Sequence, residues 1–228
     1  MEAEEKEFDL SSVAIVDGVA LLLMLAFSAY AWTRIPDGAW LPTHWGANGE
    51  VDGYGSKGFA LFIMPAAGAI IAALNLVLPS IDPRRKHLAR SQRGYTAIWC
   101  VLMAWMAIIH CALISIYLGS NLRMAQIMPV LIGILFVVIG NFMGKIRSNF
   151  FMGVRTPWTL SSEESWNRTN RLGGLLFMAI GVIAAIAGLI DGKFFAVALM
   201  ATLPLSTLVL VVYSYIVWKN DPLKKSST

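Results

Sequence analysis

The chain has 228 residues, of which 57% are hydrophobic and 14% are charged, and its formal net charge is +4. Soluble domains carry about 25% charged residues, so this composition argues against a water-soluble protein. The positive charge lies between apolar runs, where it indicates membrane topology and gives no support for direct nucleic acid binding.

Six apolar runs divide the chain, and each is long enough to cross about 30 Å of hydrocarbon as a helix. They cover residues 13–32, 58–80, 95–118, 125–142, 172–190 and 194–218. A helix satisfies its own backbone groups in lipid, so the predicted fold class is an all-α integral membrane protein with six transmembrane helices. The fifth helix is expected to begin earlier, in the preceding loop.

The distribution of Lys and Arg predicts the orientation. Fourteen of the 18 fall on one side of the membrane, mainly in the segments after the second and fourth runs. Cytoplasmic loops carry an excess of these residues, so the N- and C-termini are predicted to be cytoplasmic. The acidic start, with Glu2, Glu4 and Glu5, does not fit a cleavable signal peptide, and the first helix is expected to be retained.

Few polar residues lie within the apolar runs. Asp17 lies near the inner end of the first run, where it is expected to reach the interface, and His110 in the third run is expected to be buried and hydrogen-bonded. Together with Thr202, Ser206 and Thr207, they are the candidates for a solute path. The sequence contains no nucleophile–base pair and no phosphate-binding glycine loop, so no enzymatic activity is predicted.

Small residues predict close helix packing. Gly174, Gly181 and Gly188 recur every seven residues in the fifth run, which places them on one helix face that another helix can approach. Cys100 and Cys111 share the third run and lie about 16 Å apart along a helix. This separation is too large for a disulfide, so both are expected to pack as small apolar residues.

The first long loop, residues 33–57, is predicted to lie outside the cell as a compact surface loop. Its prolines and glycines, with Asn48, favour tight turns. Trp40, Trp45 and Tyr54 are amphipathic rings suited to the headgroup level.

His44 has Glu50 and Asp52 nearby in sequence and leaves three possibilities open. It is a metal ligand, a structural residue bonded to the loop backbone, or a contact for a ligand. The three residues do not show a recurring metal-ligand spacing, so neither a metal nor a cofactor is predicted.

The second long loop, residues 143–171, is predicted to lie inside. Ser161 and Glu164 fit a Ser-x-x-Glu capping box, which predicts a helix start near Ser162. Asn141 and Asn149 are expected to bond loop backbone to helix ends, because amides at a membrane boundary are costly unless bonded. The cations and tryptophans of this loop leave open lipid anchoring, a docking surface for a cytosolic protein, or an internal structural lock.

The run from Asn141 to Gly174 resembles the SdpI family of bacterial membrane proteins. The shared positions are Asn141, Lys145, Asn149, Phe151, Gly153, Arg155, Thr156, Pro157, Trp158, Thr159, Leu160 and Trp166. The family commonly has a Thr-His-Arg pattern where this chain has Thr169, Asn170 and Arg171. The first long loop resembles a domain of unknown function that is often fused before such regions, at Pro42, His44, Trp45, Gly49, Asp52, Tyr54 and Lys57.

The resemblance implies an immunity protein in the bacterial cytoplasmic membrane that protects the cell from a secreted toxin peptide. It also implies a receptor that holds a cytosolic transcriptional repressor at the membrane. The expected partners are therefore the lipid bilayer, the extracellular peptide and the repressor. Two modules are predicted, residues 1–80 and 95–218. A transporter or channel for a small solute or ion, without an immunity role, is the alternative.

Under the immunity hypothesis each loop supplies one set of contacts. The outer set is Trp40, Pro42, His44, Trp45, Gly49, Asp52, Tyr54 and Lys57. The inner set is Asn141, Lys145, Asn149, Phe151, Gly153, Arg155, Thr156, Pro157, Trp158, Thr159, Trp166 and Arg171.

Overall fold

The computed structural model describes residues 8–46 and 49–223. The acidic residues 1–7, the turn predicted at Asn48, and the basic end with Lys224 and Lys225 lie outside the described residues. In chain order the described elements are α1 (Ser11–Arg34), β1 (Trp40–Trp45), β2 (Val51–Ser56), α2 (Lys57–Ile81), α3 (Arg85–Ala89), α4 (Gln92–Tyr117), α5 (Met124–Met143), α6 (Pro157–Ser161), α7 (Glu163–Ile190) and α8 (Gly192–Asn220).

Six of these helices, α1, α2, α4, α5, α7 and α8, are long and apolar enough to cross a membrane. This confirms the predicted all-α multi-pass architecture. Helix α7 begins at Glu163, so the fifth spanning helix does start in the preceding loop, as expected. The short helices α3 and α6 lie in the two connections at one end of the bundle, and neither is among the predicted helices.

The spanning helices pack in two groups. Helices α1 and α2 contact α4, whereas α5, α7 and α8 contact one another, and α4 also touches α5. The predicted division of the chain into two modules remains a prediction.

Helices α5 and α7 approach each other closely at positions where one or both carry glycine. A methyl group on these glycines would collide with the facing helix; at Gly181, for example, it would lie 2.6 Å from the carbonyl oxygen of Gly133. The three contacts are Gly174 with Gly140, Gly181 with Gly133, and Gly188 with Pro129. The glycine face predicted on this helix is thereby confirmed.

Two prolines interrupt the hydrogen-bond ladder of α2. Pro65 has no N–H to donate to the carbonyl oxygen of Leu61. The Ser28 hydroxyl of α1 donates to that oxygen at 2.6 Å instead. A neighbouring helix thus replaces the lost bond, as unpaired backbone groups in lipid require. Pro79 likewise has no N–H to donate to the carbonyl oxygen of Asn75.

His110 of α4 is fully buried and hydrogen-bonded, as predicted. Its Nε2 lies 3.0 Å from the Ser28 hydroxyl oxygen and 3.1 Å from the carbonyl oxygen of Met24. The Met24 carbonyl can only accept, and the Ser28 hydroxyl already donates its hydrogen to the Leu61 carbonyl. Nε2 therefore carries the proton and donates. Nδ1 has no partner among the described residues. His110 is therefore a neutral imidazole that ties α4 to α1.

The expectation that Asp17 reaches the membrane interface is wrong. Its side chain is buried, with 3% of the residue exposed, because it lies on the face of α1 that packs against the other helices. The amide nitrogen of Asn75 on α2 donates to its carboxyl group at 3.0 Å.

Candidate functional site

The first long loop folds into a β-hairpin, in which β1 and β2 pair antiparallel with Trp40 opposite Ser56 and Pro42 opposite Tyr54. The sequence pattern predicts a compact loop and does not indicate these strands. Two register irregularities, on either side of His44, and the glycines in β2 obscure the alternation that identifies a strand. The Tyr117 hydroxyl at the end of α4 donates to the Pro42 carbonyl at 2.7 Å and holds the hairpin on the bundle.

A glycine seats the turn of the hairpin on α5. Gly49 has φ of +79°, a conformation that side-chain-bearing residues rarely adopt. A methyl group there would lie 2.6 Å from Cβ of Ala125, at the start of α5. Gly49 is thus required both for the turn and for its close contact with the helix.

Lys57, expected as a partner contact, is instead buried at the base of the hairpin. Its Nζ lies 2.8 Å from a carboxylate oxygen of Asp37 and 4.4 Å from the centre of the Trp32 ring. Hydrogen bonding to the Lys57 ammonium, together with its positive charge, lowers the pKa of Asp37. Lys57 therefore joins the hairpin to α1.

His44 lies on the exposed side of the hairpin, and its Nδ1 is 2.5 Å from a carboxylate oxygen of Asp52. The contact fits a structural role for His44, but its partner is the side chain of Asp52, and the expected partner was the loop backbone. In residues 8–46 and 49–223, no group of three or more His, Cys, Asp or Glu side chains could hold a metal ion.

A cavity of about 410 Å³ lies beneath the hairpin, between the ends of α2, α4, α5 and α8. We call it the hairpin pocket. The hairpin supplies its polar rim, and methionine, isoleucine, leucine and phenylalanine side chains supply the apolar floor. Its lining includes Thr43, His44, Trp45, Gly49, Met64, Ile109, Leu113, Met124, Ala125, Met128, Pro129, Ile132 and Phe195. The volume lies in the range of small-molecule and side-chain binding sites.

The predicted outer residues divide between this pocket and other positions. His44, Trp45 and Gly49 line the pocket. Trp40 and Tyr54 are exposed, at 70% and 58% of their surface, and lie outside its lining. The pocket floor was missed by the sequence analysis, because apolar residues on spanning helices give the same signal whether they face lipid, a neighbour or a cavity.

At the opposite end of the bundle, residues 144–162 form a compact connection that we call the signature loop. Asn149 is fully buried at its centre. Its side-chain oxygen accepts from the N–H groups of Phe151 and Met152 at 2.8 and 2.7 Å, and its nitrogen donates to the carbonyls of Arg147 and Met152. The prediction that Asn149 bonds loop backbone is confirmed. Asn141 is exposed, and within the part of the chain that the structure describes its side chain bonds to the Lys145 ammonium and to no loop backbone, so the same expectation for Asn141 is wrong.

Asn170, which stands at the position of the family's His, fastens the loop to α7. Its side-chain oxygen accepts from the Val154 N–H at 2.7 Å. It contacts Gly153, which has φ of +103°, and a methyl group on Gly153 would collide with the side-chain oxygen of Asn170. Trp166, also buried, donates from its indole nitrogen to the Ile146 carbonyl at 2.8 Å. The side-chain amide of Asn170 thus binds the backbone of the signature loop to α7.

The predicted capping box at Ser161 and Glu164 is wrong. The N-cap of α7 is Ser162, one residue later, and Glu164 pairs with Arg168 on the exposed surface. A capping box does occur, five residues upstream at the start of α6, where Thr156 and Thr159 cap one another's backbone N–H groups. Ser161 is the serine with a glutamate three residues later, so the motif favours it, but the Ser162 hydroxyl is the group that accepts from a helix N–H, that of Ser165.

The connection between α2 and α4 locks the signature loop from the other side, which the sequence analysis missed. Arg84 donates to the Ser148 hydroxyl and, at 2.7 Å, to the Leu160 carbonyl. The Asp82 carboxylate accepts from the Phe150 N–H at 3.1 Å. These pairs are separated by more than 60 residues in sequence, so local patterns carry no signal for them.

The remaining inner residues are arranged around this lock. Trp158 packs edge-on against the ring of Tyr215 on α8, and Thr156 donates to the Ser214 hydroxyl at 3.1 Å. Arg155 donates to the Phe150 carbonyl and is otherwise exposed. Other positions are half-buried or exposed at the loop surface; they are Phe151, Pro157, Lys145 and Arg171.

The polar residues considered for a solute path do not come together. The hydroxyls of Thr202 and Thr207 donate to carbonyls of their own helix, α8. Asp17 and His110 are enclosed where α1, α2 and α4 meet. Within the described residues they form separate hydrogen-bonded clusters.

Two regions of the chain match known families. Residues 145–217 match the SdpI/YfhL protein family, and residues 19–69 match a domain of unknown function, DUF1648. Residues 145–217 therefore form an SdpI-family region. The resemblance drawn from the signature motif is confirmed, and so is that of the hairpin to a fused domain of unknown function.

The chain is 23% identical to "Immunity protein SdpI" of Bacillus subtilis (strain 168) over 206 residues. The aligned region covers 90% of this chain and 96% of that protein. A comparison with solved structures found no match. The SdpI-family region contains most of the signature loop together with α7 and most of α8, whereas the DUF1648 region contains the hairpin.

Proposed function

We propose that this protein is a multi-pass immunity protein of the bacterial cytoplasmic membrane that protects the cell from a secreted toxin peptide. The observation that carries the proposal is the similarity to the immunity protein SdpI, which extends over 90% of the chain. It includes both the hairpin and the signature loop, so the proposal does not depend on the signature motif alone.

The hairpin pocket is the proposed contact for an apolar segment of the toxin. It combines the histidine and glycine rim of the hairpin with an apolar floor from four helices. Three methionines, Met64, Met124 and Met128, line it, and flexible thioether side chains adapt to differently shaped apolar ligands. In the proposed orientation the pocket lies at the outer surface, where a secreted peptide arrives.

The signature loop is the proposed docking surface for a cytosolic repressor. Its backbone is fixed by buried bonds, so it presents its outward side chains on a rigid frame. The exposed cations of this loop include Lys145, Arg147 and Arg155, and the exposed Arg171 of α7 lies beside it. A protein with an acidic surface is the partner that such a face attracts.

Protection is tested by expressing the protein in a sensitive host and challenging it with the toxin to which the Bacillus subtilis relative gives immunity. Ile132→Trp fills the hairpin pocket, and Ile134→Trp makes the same change on the same helix at a 52% exposed position. The proposal expects survival to be lost with Ile132→Trp and kept with Ile134→Trp at equal membrane abundance. Equal survival of both variants contradicts the pocket assignment, and death of cells expressing the unaltered chain contradicts the immunity role.

Signalling is tested separately with a reporter controlled by the repressor. Arg155→Ala removes a signature-loop cation, and Arg93→Ala removes an exposed cation outside that loop. The proposal expects Arg155→Ala to disturb function while the protein stays in the membrane, and Arg93→Ala to behave like the parent. If Arg155→Ala leaves both protection and reporter output unchanged at equal expression, the signature loop is purely structural.

A further inference from the structure

The pair formed by Asp17 and Asn75 is incompletely hydrogen-bonded. The Asn75 nitrogen donates to one carboxyl oxygen of Asp17 at 3.0 Å. The other carboxyl oxygen of Asp17 and the amide oxygen of Asn75 are both buried and have no partner among the described residues. Both residues are almost completely enclosed, with 3% and 0% of their surface exposed. Two acceptors therefore remain on facing groups, with no donor for either.

Among the described residues, none of the groups that surround Asp17 is a cation that could balance its charge. The titratable groups that act on it electrostatically are Tyr95 and Cys100, both on α4. Helix α2 contributes the uncharged Asn75. The Tyr95 hydroxyl already donates to the Asn75 carbonyl at 2.5 Å. An ionised carboxylate within the membrane-spanning helices would thus be stabilised by one amide bond alone, which is unfavourable for a buried charge.

One added proton gives both of these unpaired oxygens a hydrogen-bond partner. On the free oxygen of Asp17 it turns that atom into a donor, and the amide oxygen of Asn75 is the acceptor left on the opposing group. The two groups then exchange two hydrogen bonds in a ring, as carboxylic acids and amides do. A metal ion bound between the two oxygens fits less well, since the common protein-bound metals require about four to eight ligands and this pair provides two free oxygens.

We propose that Asp17 is a proton-binding site, occupied at neutral pH and closed by Asn75 in an acid–amide pair between α1 and α2. The site is distinct from the hairpin pocket and the signature loop, and it does not depend on the proposed immunity role. The uncharged acid lets α1 and α2 pack in the membrane without a counter-ion.

The proposal is tested by infrared spectroscopy of the full-length protein in lipid nanodiscs at pH 7. A protonated carboxylic acid has a carbonyl stretch well separated from that of a carboxylate. We expect such a band in the unaltered protein, a shift of that band when aspartate is labelled with ¹³C, and its loss in Asp17→Asn. The label identifies aspartate without any substitution, so the test holds even if the variant does not fold.

Asp82→Asn is the matched control. Asp82 is also buried, but both of its carboxylate oxygens have donors, which are the N–H groups of Arg84 and Phe150. The band is expected to persist in this variant. The proposal is overturned if the unaltered protein lacks the band, if the band does not respond to the aspartate label, if it persists in Asp17→Asn, or if sodium or potassium abolishes it at constant pH.

Discussion

The hydroxyl of Tyr95 donates a hydrogen bond of 2.5 Å to the carbonyl oxygen of Asn75, the acceptor that Pro79 leaves without its helical donor. Tyr95 lies on α4 and is fully buried. The contact therefore compensates for a helix-breaking residue on α2 and ties the two helices together. Ser28 does the same for the carbonyl opposite Pro65, so both prolines of α2 are matched by a donor from another helix.

Tyr95→Phe is expected to lower the free energy of unfolding by about 1–3 kcal/mol, because it leaves the Asn75 carbonyl buried without a donor. In a Pro79→Ala background the new Ala N–H supplies that donor, so the same substitution should cost less. Chemical unfolding in detergent of the four proteins in this cycle measures the difference. Strictly additive free energies would show that the tyrosine does not compensate for the proline.

The position of the proton on His110, at Nε2, predicts that glutamine and asparagine will differ as replacements for this residue. Glutamine places its amide nitrogen near the position of Nε2, whereas asparagine reaches only the region of Nδ1. Because Nε2 is the ring nitrogen that bonds to described residues, Ser28 and Met24, His110→Gln should keep most of the thermal stability and His110→Asn should lose more. Thermal unfolding in detergent compares them. The reverse order would contradict the assignment.

Gly153→Ala is expected to destabilise the signature loop by about 1–2 kcal/mol from its left-handed backbone alone, with a further cost from the collision with Asn170. Gly38→Ala is the matched control, because Gly38 has φ of +80° and no atom within 4 Å of the added methyl. Proteolysis and unfolding of both variants measure the costs. Equal costs would show that the Asn170 contact does not constrain the loop.

The Asp37–Lys57 pair predicts a pH dependence. Lys57 lowers the pKa of Asp37 below its ordinary value of 3.8, so the folded state binds this proton less readily than the unfolded state does. The stabilisation is present above pH 3.8 and is lost as the pH falls through the lower pKa of the folded state. The difference in melting temperature between the parent and Asp37→Asn should therefore shrink at acidic pH.

Lys57→Gln provides the control for that experiment. Without the ammonium group the reason for the lowered pKa disappears, so Asp37→Asn should have no pH-dependent effect in the Lys57→Gln background. A difference that is constant from neutral to acidic pH in the parent background would contradict the role given to the pair.

The sequence predicted those site features that depend on local pattern. The glycine face of α7 follows from a repeat of seven residues, and the buried bonds of Asn149 follow from the cost of an unpaired amide. The motif points to Ser161, one residue before the capping Ser162, because Glu164 completes the Ser-x-x-Glu pattern with Ser161 and Ser162 has Ser165 at that distance. The Arg84–Ser148 contact joins segments 64 residues apart and has no local signature.

The number of membrane crossings was determined by the sequence itself, because a run of about 20 apolar residues must leave water and must satisfy its backbone as a helix. Tertiary packing alone decided which polar groups meet: Asp17 with Asn75, Ser28 with His110, and Arg84 with the signature loop. Those pairings depend on helix rotation and depth, which hydrophobicity leaves open because lipid and a neighbouring helix are equally apolar surroundings.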